Sequence, residues 1–126
     1  MDKILLIAAG GSIGSVLRYI ITISINRFNL NNFFFGTVII NIIGCLLIGL
    51  GYSFFGRGNN LLEGLKIFFV TGFLGAFTTF SAYGIESAQY VENGLITHFI
   101  CNILITNIIG IAMVFIGIYI GRQIWN

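Results

Sequence analysis

The residues of this chain that are suited to chemistry are a few polar side chains set inside long apolar stretches. Arg18 lies in the first stretch, and Asn41 lies near the middle of the second, with Thr37 four residues earlier on the same helical face. If the stretches cross a bilayer, each polar group needs a partner inside protein or along a water-filled path. Arg18 then either extends to the headgroups or attracts anions in an aqueous vestibule. Asn41 either joins two helices or contacts an ion.

The densest polar group is the segment 71–83 of the third stretch, which reads TGFLGAFTTFSAY. Glycines, threonines and Ser81 so close together predict an interrupted helix. The carbonyl and N–H groups freed at such a break can bind ions. Phe80 and Tyr83 are three residues apart and share one helical face, a spacing found in aromatic packing stripes and in pore linings alike.

The fourth stretch adds a polar stripe in which Asn102 and Thr106 are four residues apart and Asn107 lies next to them. The acidic residues lie at helix ends or in loops, with Glu86 toward the end of the third helix. A proton-coupled transporter needs a carboxylate inside the membrane, so this class is disfavoured. Hydroxyls, amide N–H groups and the positive edges of aromatic rings suit a small, strongly hydrated anion. These residues therefore predict an anion path.

The composition shows which elements must position these side chains. Of the 126 residues, 57% are hydrophobic and 8% are charged, whereas soluble domains are about 25% charged. The mean hydropathy is +1.00, and a soluble domain this small cannot bury so much apolar surface. The stretches long enough to cross a bilayer are approximately 4–26, 33–56, 65–91 and 97–121. We therefore predict an all-α membrane protein with four transmembrane helices in a single membrane domain, residues 1–126.

Short connections and small residues complete the predicted architecture. The connections 29–32, 56–60 and 92–94 are short, so neighbouring helices are antiparallel and both termini lie on one side. Pairs such as Gly10 with Gly14, and Gly117 with Gly121, allow the close helix packing that is typical of membranes. Cysteines inside apolar helices usually act as small hydrophobic residues. The sequence has no P-loop, no metal-ligand cluster and no Ser-His-Asp arrangement, and its charge is too small to predict nucleic-acid binding.

At these residues the chain resembles the fluoride channel family known as CrcB or Fluc. Three matching pieces follow one another in the family's order and spacing and extend over the whole chain. They are Gly10-Gly11-Ser12-Ile13-Gly14 with Leu17-Arg18-Tyr19, Gly36-Thr37 with Asn41 and Gly44, and Thr71-Gly72 through Thr79-Phe80-Ser81. The resemblance implies a fluoride-selective channel and not an enzyme.

The same resemblance implies an assembly. It is a dual-topology, antiparallel dimer in the inner (plasma) membrane of a bacterium, with two pores that let fluoride leave the cytoplasm. The third helix is broken, and a structural sodium ion at the dimer interface is held by main-chain carbonyls. The positions here that match those carbonyls are Gly75 and Thr78.

The resemblance also assigns side chains to the pore. The pore asparagine matches Asn41, the first pore phenylalanine matches Phe80, and Ser81 matches a polar pore-lining position. Tyr83 stands where the family usually has a second phenylalanine, and the vestibule arginine matches Arg18. The polar track consists of Thr37, Asn102 and Thr106, of which Asn102 and Thr106 rest on spacing alone.

Two other classes of membrane protein, and two kinds of partner, stay open. A small dual-topology multidrug transporter also has four helices and forms an antiparallel dimer, but it needs a glutamate in its first helix, and residues 4–26 contain no acid. A non-transporting assembly subunit has no need for Asn41 beside a broken helix. Lys and Arg set topology, and here they lean toward the side of the termini. The partner is therefore either a second copy inserted both ways or a paralogous subunit of opposite bias.

Overall fold

A computed structural model describes residues 2–28, 33–56 and 62–125 of the chain. Helix α1 spans Asp2–Asn26, and helix α2 spans Phe35–Phe55. The predicted connection 29–32 and residues 57–60 of the next one lie outside the described residues. The last connection is confirmed, since a turn at Asn93 and Gly94 follows the third span. Gly94 adopts a φ of 72° there, a left-handed conformation that favours glycine.

The third and fourth spans are less regular than the first two. Helix α3 starts as an α-helix at Glu63–Lys66. Helix α4 spans Phe80–Glu92 and follows α3 after an interruption of two residues. Within α3 the chain becomes π-helical over Ile67–Leu74 and ends in a short α-helical piece at Gly75–Phe77. Helix α5 consists of Ile96–Leu104, a π-helical part at Ile105–Ile109, and Gly110–Trp125.

The prediction of four membrane-spanning helices is confirmed for the described residues. Four helical stretches are long and apolar enough to cross a bilayer: Asp2–Asn26, Phe35–Phe55, Glu63–Glu92 and Ile96–Trp125. Their outward surface carries many large apolar side chains, including Ile4, Val16, Tyr52, Phe115 and Ile124. Such a surface suits lipid, because hydrocarbon solvates it without the cost that water imposes.

Glycines set how the spans pack against each other. Helix α1 lies against α3, and a Cβ added at Gly10 or Gly14 would collide with the backbone of Phe68 or Phe73. Helix α2 lies against the second half of α5, where a Cβ at Gly117 would collide with the Leu46 carbonyl. The backbones therefore approach as closely as small-residue packing predicts.

Candidate functional site

The predicted interruption of the third span lies at Thr78 and Thr79. Both residues have extended backbones, with φ and ψ of −82° and 159° at Thr78 and −152° and 118° at Thr79. Thr79 is also the N-cap of α4, because its Oγ1 accepts a hydrogen bond of 3.1 Å from the Ala82 N–H. The break therefore ends one helix and starts the next within two residues.

Asn41 of α2 holds the break through both ends of its amide. Its Nδ2 donates to the Thr79 carbonyl at 3.1 Å, and its Oδ1 accepts from the Thr79 N–H at 2.9 Å. One side chain thereby satisfies both backbone groups of a residue that left its helix, which is needed where no water is at hand. The structure places Asn41 at the break, as a partner of the backbone.

The break releases the two carbonyls that the resemblance assigns to sodium. In an unbroken α-helix the N–H groups of Thr79 and Ala82 would bond to the carbonyls of Gly75 and Thr78. Those N–H groups are instead held by Asn41 Oδ1 and by Thr79 Oγ1. Gly75 and Thr78 line an open, mostly apolar cavity of about 200 Å³ beside α2. Released carbonyl oxygens are suitable ligands for a small cation, so this backbone fits the ion.

Arg18 of α1 approaches the break from the other side. Its Nε donates to the carbonyl of Ala76 at 3.1 Å, and the side chain is half-buried. Ala76 lies in the last turn of α3, whose carbonyl end carries partial negative charge, so a cation is favourable there. The guanidinium is thus directed toward the broken helix.

The aromatic pair lies on the outer face of the subunit just after the break. Phe80 is 81% exposed, and its ring centroid is 5.5 Å from that of Tyr83, with the planes inclined at 48°. Ser81 is exposed as well, and its hydroxyl lies 3.2 Å from the Thr79 hydroxyl. The Tyr83 oxygen accepts a hydrogen bond from Asn107 of α5. Ring edges and hydroxyls therefore share one face, which is the donor set that an anion needs.

The predicted polar track lies within the subunit, with Thr37 and Asn102 buried and Thr106 half-buried, and it includes residues that the sequence interpretation missed. Thr37 donates to Glu86 Oε1 at 2.5 Å, and both side chains are buried. Asn102, only 1% exposed, donates to the Ser87 hydroxyl at 3.0 Å and accepts from Thr106 at 3.4 Å. Glu86 Oε2 has no hydrogen-bond partner among the described residues.

Glu86 therefore differs from its sequence interpretation, which set it aside as a residue near a helix end. It is buried against α2 at Thr37, and it is the one acid within the apolar part of the third span. An ionisable residue inside a membrane helix indicates a functional or packing role, and this holds for Glu86 as well as for Arg18. The position of Glu86 within the span could therefore have identified it from the sequence.

The structure sorts the predicted residues into three places. At the break it brings together Arg18, Asn41, Gly75 and Thr78. The outer face carries Phe80 and Ser81 with the half-buried Tyr83 beside them. The inner row carries Thr37 and Asn102, which are buried, and Thr106, which is half-buried. Within 2–28, 33–56 and 62–125 no group of three His, Cys, Asp or Glu side chains is placed to hold a metal. Cation binding by side chains of that kind has no support here, whereas backbone carbonyls are available.

Comparison with known proteins extends along nearly the whole chain. The family described as "CrcB-like protein, Camphor Resistance (CrcB)" matches residues 5–118. A protein named "Fluoride-specific ion channel FluC" from Phocaeicola vulgatus is 41% identical, over 97% of this chain and 100% of the relative. Proteins of the same name from Agrobacterium fabrum and Flavobacterium psychrophilum are 38% and 36% identical. They cover 99% and 98% of this chain, and 100% of each relative is covered.

Proposed function

The chain belongs to the CrcB-like protein family, and on that premise we propose that it is a fluoride-selective channel through which fluoride leaves the cytoplasm passively. The observation that carries the proposal is the similarity, over nearly the full length of both chains, to proteins named fluoride-specific ion channels. The exposed donors beside the helix break are consistent with it. It follows that the chain is not an enzyme, because a channel makes and breaks no covalent bond.

The permeating ion passes the outer face at Phe80, Ser81 and Tyr83. Fluoride holds its water tightly, so a path must offer replacement donors. The Ser81 hydroxyl and the positive ring edges of Phe80 supply them. The amide nitrogen of Asn41 carries two hydrogens and donates one of them to the Thr79 carbonyl. Its second N–H is therefore the donor that Asn41 contributes to the ion, and chloride is excluded mainly by the width of the path.

The working unit is an antiparallel dimer with two pores and a structural sodium ion between the subunits. Gly75 is exposed on a single subunit, beside the carbonyls that the break releases. Two copies related by a twofold axis present the carbonyls of Gly75 and Thr78 twice, which gives sodium an oxygen shell. The partner is a second copy or a paralogous subunit, and the membrane is the bacterial inner membrane.

Fluoride release from liposomes tests the channel. Purified protein in liposomes loaded with potassium fluoride is treated with valinomycin, and an electrode follows fluoride outside. We expect rapid release, and in matched liposomes loaded with chloride we expect release slower by orders of magnitude, since the hydration and the size of the two ions differ. Equal rates for the two ions, or no release above that of empty liposomes, would contradict the proposal.

Labelling in intact cells tests the dual topology. A single cysteine replaces Asn59, which lies outside the described residues, in a background where Cys45 and Cys101 are removed. An impermeant thiol reagent should label about half of the protein if the chain inserts both ways, since the bias in Lys and Arg is small. Labelling of almost none, with no flux from the purified chain alone, would exclude the homodimer and require a paralogous partner.

A further inference from the structure

Asn107 is a polar side chain on the surface of α5 to which neither the proposed pore nor the resemblance gives a role. Its Nδ2 lies 2.8 Å from the Ile103 carbonyl and 3.1 Å from the hydroxyl of Tyr83. It belongs to the π-helical part of the fourth span, Ile105–Ile109, and such parts are frequent at functional sites. An exposed amide within a membrane span faces protein or a water-filled path.

The Ile103 carbonyl fixes which way round the Asn107 amide is placed. A carbonyl oxygen only accepts hydrogen bonds, so the atom 2.8 Å from it must be the amide nitrogen and not the amide oxygen. The same nitrogen reaches Tyr83 with its second hydrogen. The Tyr83 oxygen is therefore an acceptor in this contact, and its own hydrogen must point elsewhere.

The hydrogen of the Tyr83 hydroxyl is consequently available as a donor. In the part of the chain that the structure describes, no acceptor for it is found, and the ring lies beside the exposed Phe80. A hydroxyl whose oxygen accepts a hydrogen bond is polarised and becomes a stronger donor. In an apolar membrane setting such a donor requires an acceptor, and an anion passing Phe80 meets that requirement.

We propose that Asn107 is a positioning residue that turns the Tyr83 hydroxyl into a donor for the permeating anion. This inference rests on the proposed function, because it takes fluoride to be that anion. The tyrosine then adds an O–H group to the pore at a position where a phenylalanine would offer only ring edge. Asn107 touches the tyrosine and not the ion, so it acts through Tyr83 alone.

A double-mutant cycle in liposomes tests the coupling between the two residues. Fluoride release at low fluoride is compared for the wild type, Tyr83→Phe, Asn107→Leu and the double variant. Each single change should lower the rate about three- to tenfold, the worth of one hydrogen bond. The double variant should be no slower than Tyr83→Phe, since Asn107 has nothing to orient once the hydroxyl is gone.

Asn93→Leu is a matched control for loss of an exposed amide. Asn93 also donates from Nδ2 to a carbonyl four residues earlier, that of Gln89, but it lies in the turn before α5 and away from Tyr83. We expect it to release fluoride at the wild-type rate. Equal slowing by Asn107→Leu with and without the Tyr83 hydroxyl would overturn the inference, as would no slowing at all.

Infrared spectroscopy separates this inference from the proposed function. The difference spectrum between wild type and Tyr83→Phe isolates the C–O stretch of one tyrosine, which reports whether its hydroxyl accepts or donates a hydrogen bond. Without fluoride we expect an accepting hydroxyl, lost in Asn107→Leu, and with fluoride a donating one. If the hydroxyl donates before fluoride is added, the inference is overturned even in a conducting channel. If the band behaves as expected but liposomes release no fluoride, it is the proposed function that fails.

Discussion

The third and fourth spans both leave α-helical geometry, but only the third one breaks. Each contains a π-helical part, Ile67–Leu74 in the third and Ile105–Ile109 in the fourth. The fourth span returns to α-helical geometry at Gly110 and continues to Trp125. The third stops at Phe77 and restarts at Phe80, with extended backbone between. The two spans differ in what the neighbouring helices offer to their backbones.

At the break, side chains of two other helices bond to the backbone. Arg18 of α1 donates to the Ala76 carbonyl, and the amide of Asn41 of α2 bonds to both the N–H and the carbonyl of Thr79. Around the π-helical part of the fourth span, the polar contacts to other helices run between side chains, from Asn102 to Ser87 and from Asn107 to Tyr83. A membrane helix can therefore open where a neighbour takes over the backbone bonds. Polar residues in the helix itself do not suffice.

The largest effect should follow from Asn41→Leu, which keeps the size of the side chain and removes both bonds to Thr79. Two backbone groups then lose their partners, at about 1–3 kcal/mol each. We expect the free energy of unfolding to fall by about 2–6 kcal/mol. The rate of fluoride release should fall at least about thirtyfold. Thermal unfolding in detergent and release from liposomes measure the two effects.

Asn107→Leu is the comparison for this change, since it removes an amide from the span that does not break. Its effect on stability should be far smaller than that of Asn41→Leu, because its partners are a tyrosine hydroxyl and a carbonyl of its own helix. If both variants unfolded equally easily, the distinction between the two spans would be wrong.

A second change, Arg18→Met, removes the charged partner of the broken helix and leaves Asn41 in place. Hydrogen bonds to charged groups contribute about 1.5–3 kcal/mol, so unfolding should become easier by that amount and flux should fall about tenfold or more. Arg18→Lys restores the charge at the carbonyl end and should recover part of the loss. Wild-type unfolding and wild-type flux in Arg18→Met would show that the bond to Ala76 contributes to neither stability nor conduction.

Exposed phenylalanines on the two spans give a third contrast. Phe80 is 81% exposed and Phe115 of α5 is 67% exposed, so replacing either by isoleucine should leave the fold intact. We expect Phe80→Ile to lower fluoride release about tenfold or more, because the ring edge is lost. Phe115→Ile should release fluoride like the wild type. Similar rates in the two variants would mean that Phe80 serves only in packing.

The smallest effect of these should come from Tyr83→Phe. The ring edge survives and the hydroxyl is one donor among several, so fluoride release should persist within about tenfold of the wild type. Thermal unfolding should hardly change, since the partner left behind, Asn107, is exposed and keeps its bond to Ile103. A complete loss of release would show that this hydroxyl, and not the aromatic rings, carries the ion.

Much of the fold could be predicted from the sequence because the bilayer leaves few choices. Four apolar stretches, small-residue pairs and a Thr- and Gly-rich segment predicted four spans with a break in the third, and the structure confirms them. The fourth span was predicted as 97–121 and continues to Trp125. Its last turn carries Arg122, and hydropathy ends a helix where charge begins although the backbone continues.

The site was less predictable, because it depends on how the helices face each other. Asn41 was recognised as a polar residue that needs a partner, but no local pattern indicates that the partner is the backbone of Thr79, thirty-eight positions away. The hydrogen-bond partner of Glu86 likewise lies on another helix, at Thr37. Spacing along one helix shows which residues share a face, and only packing decides what that face meets.

The hold of Asn41 and Arg18 on the break also bears on how the protein is made. All three backbone groups that they satisfy belong to the same chain as the side chains themselves. A newly synthesised subunit can therefore satisfy the backbone groups at its helix break as soon as its own spans have entered the bilayer. If the working unit is the proposed antiparallel dimer, such a subunit can diffuse in the bilayer as a monomer until it meets a partner of opposite orientation. Assembly of that dimer then needs no simultaneous insertion of two chains.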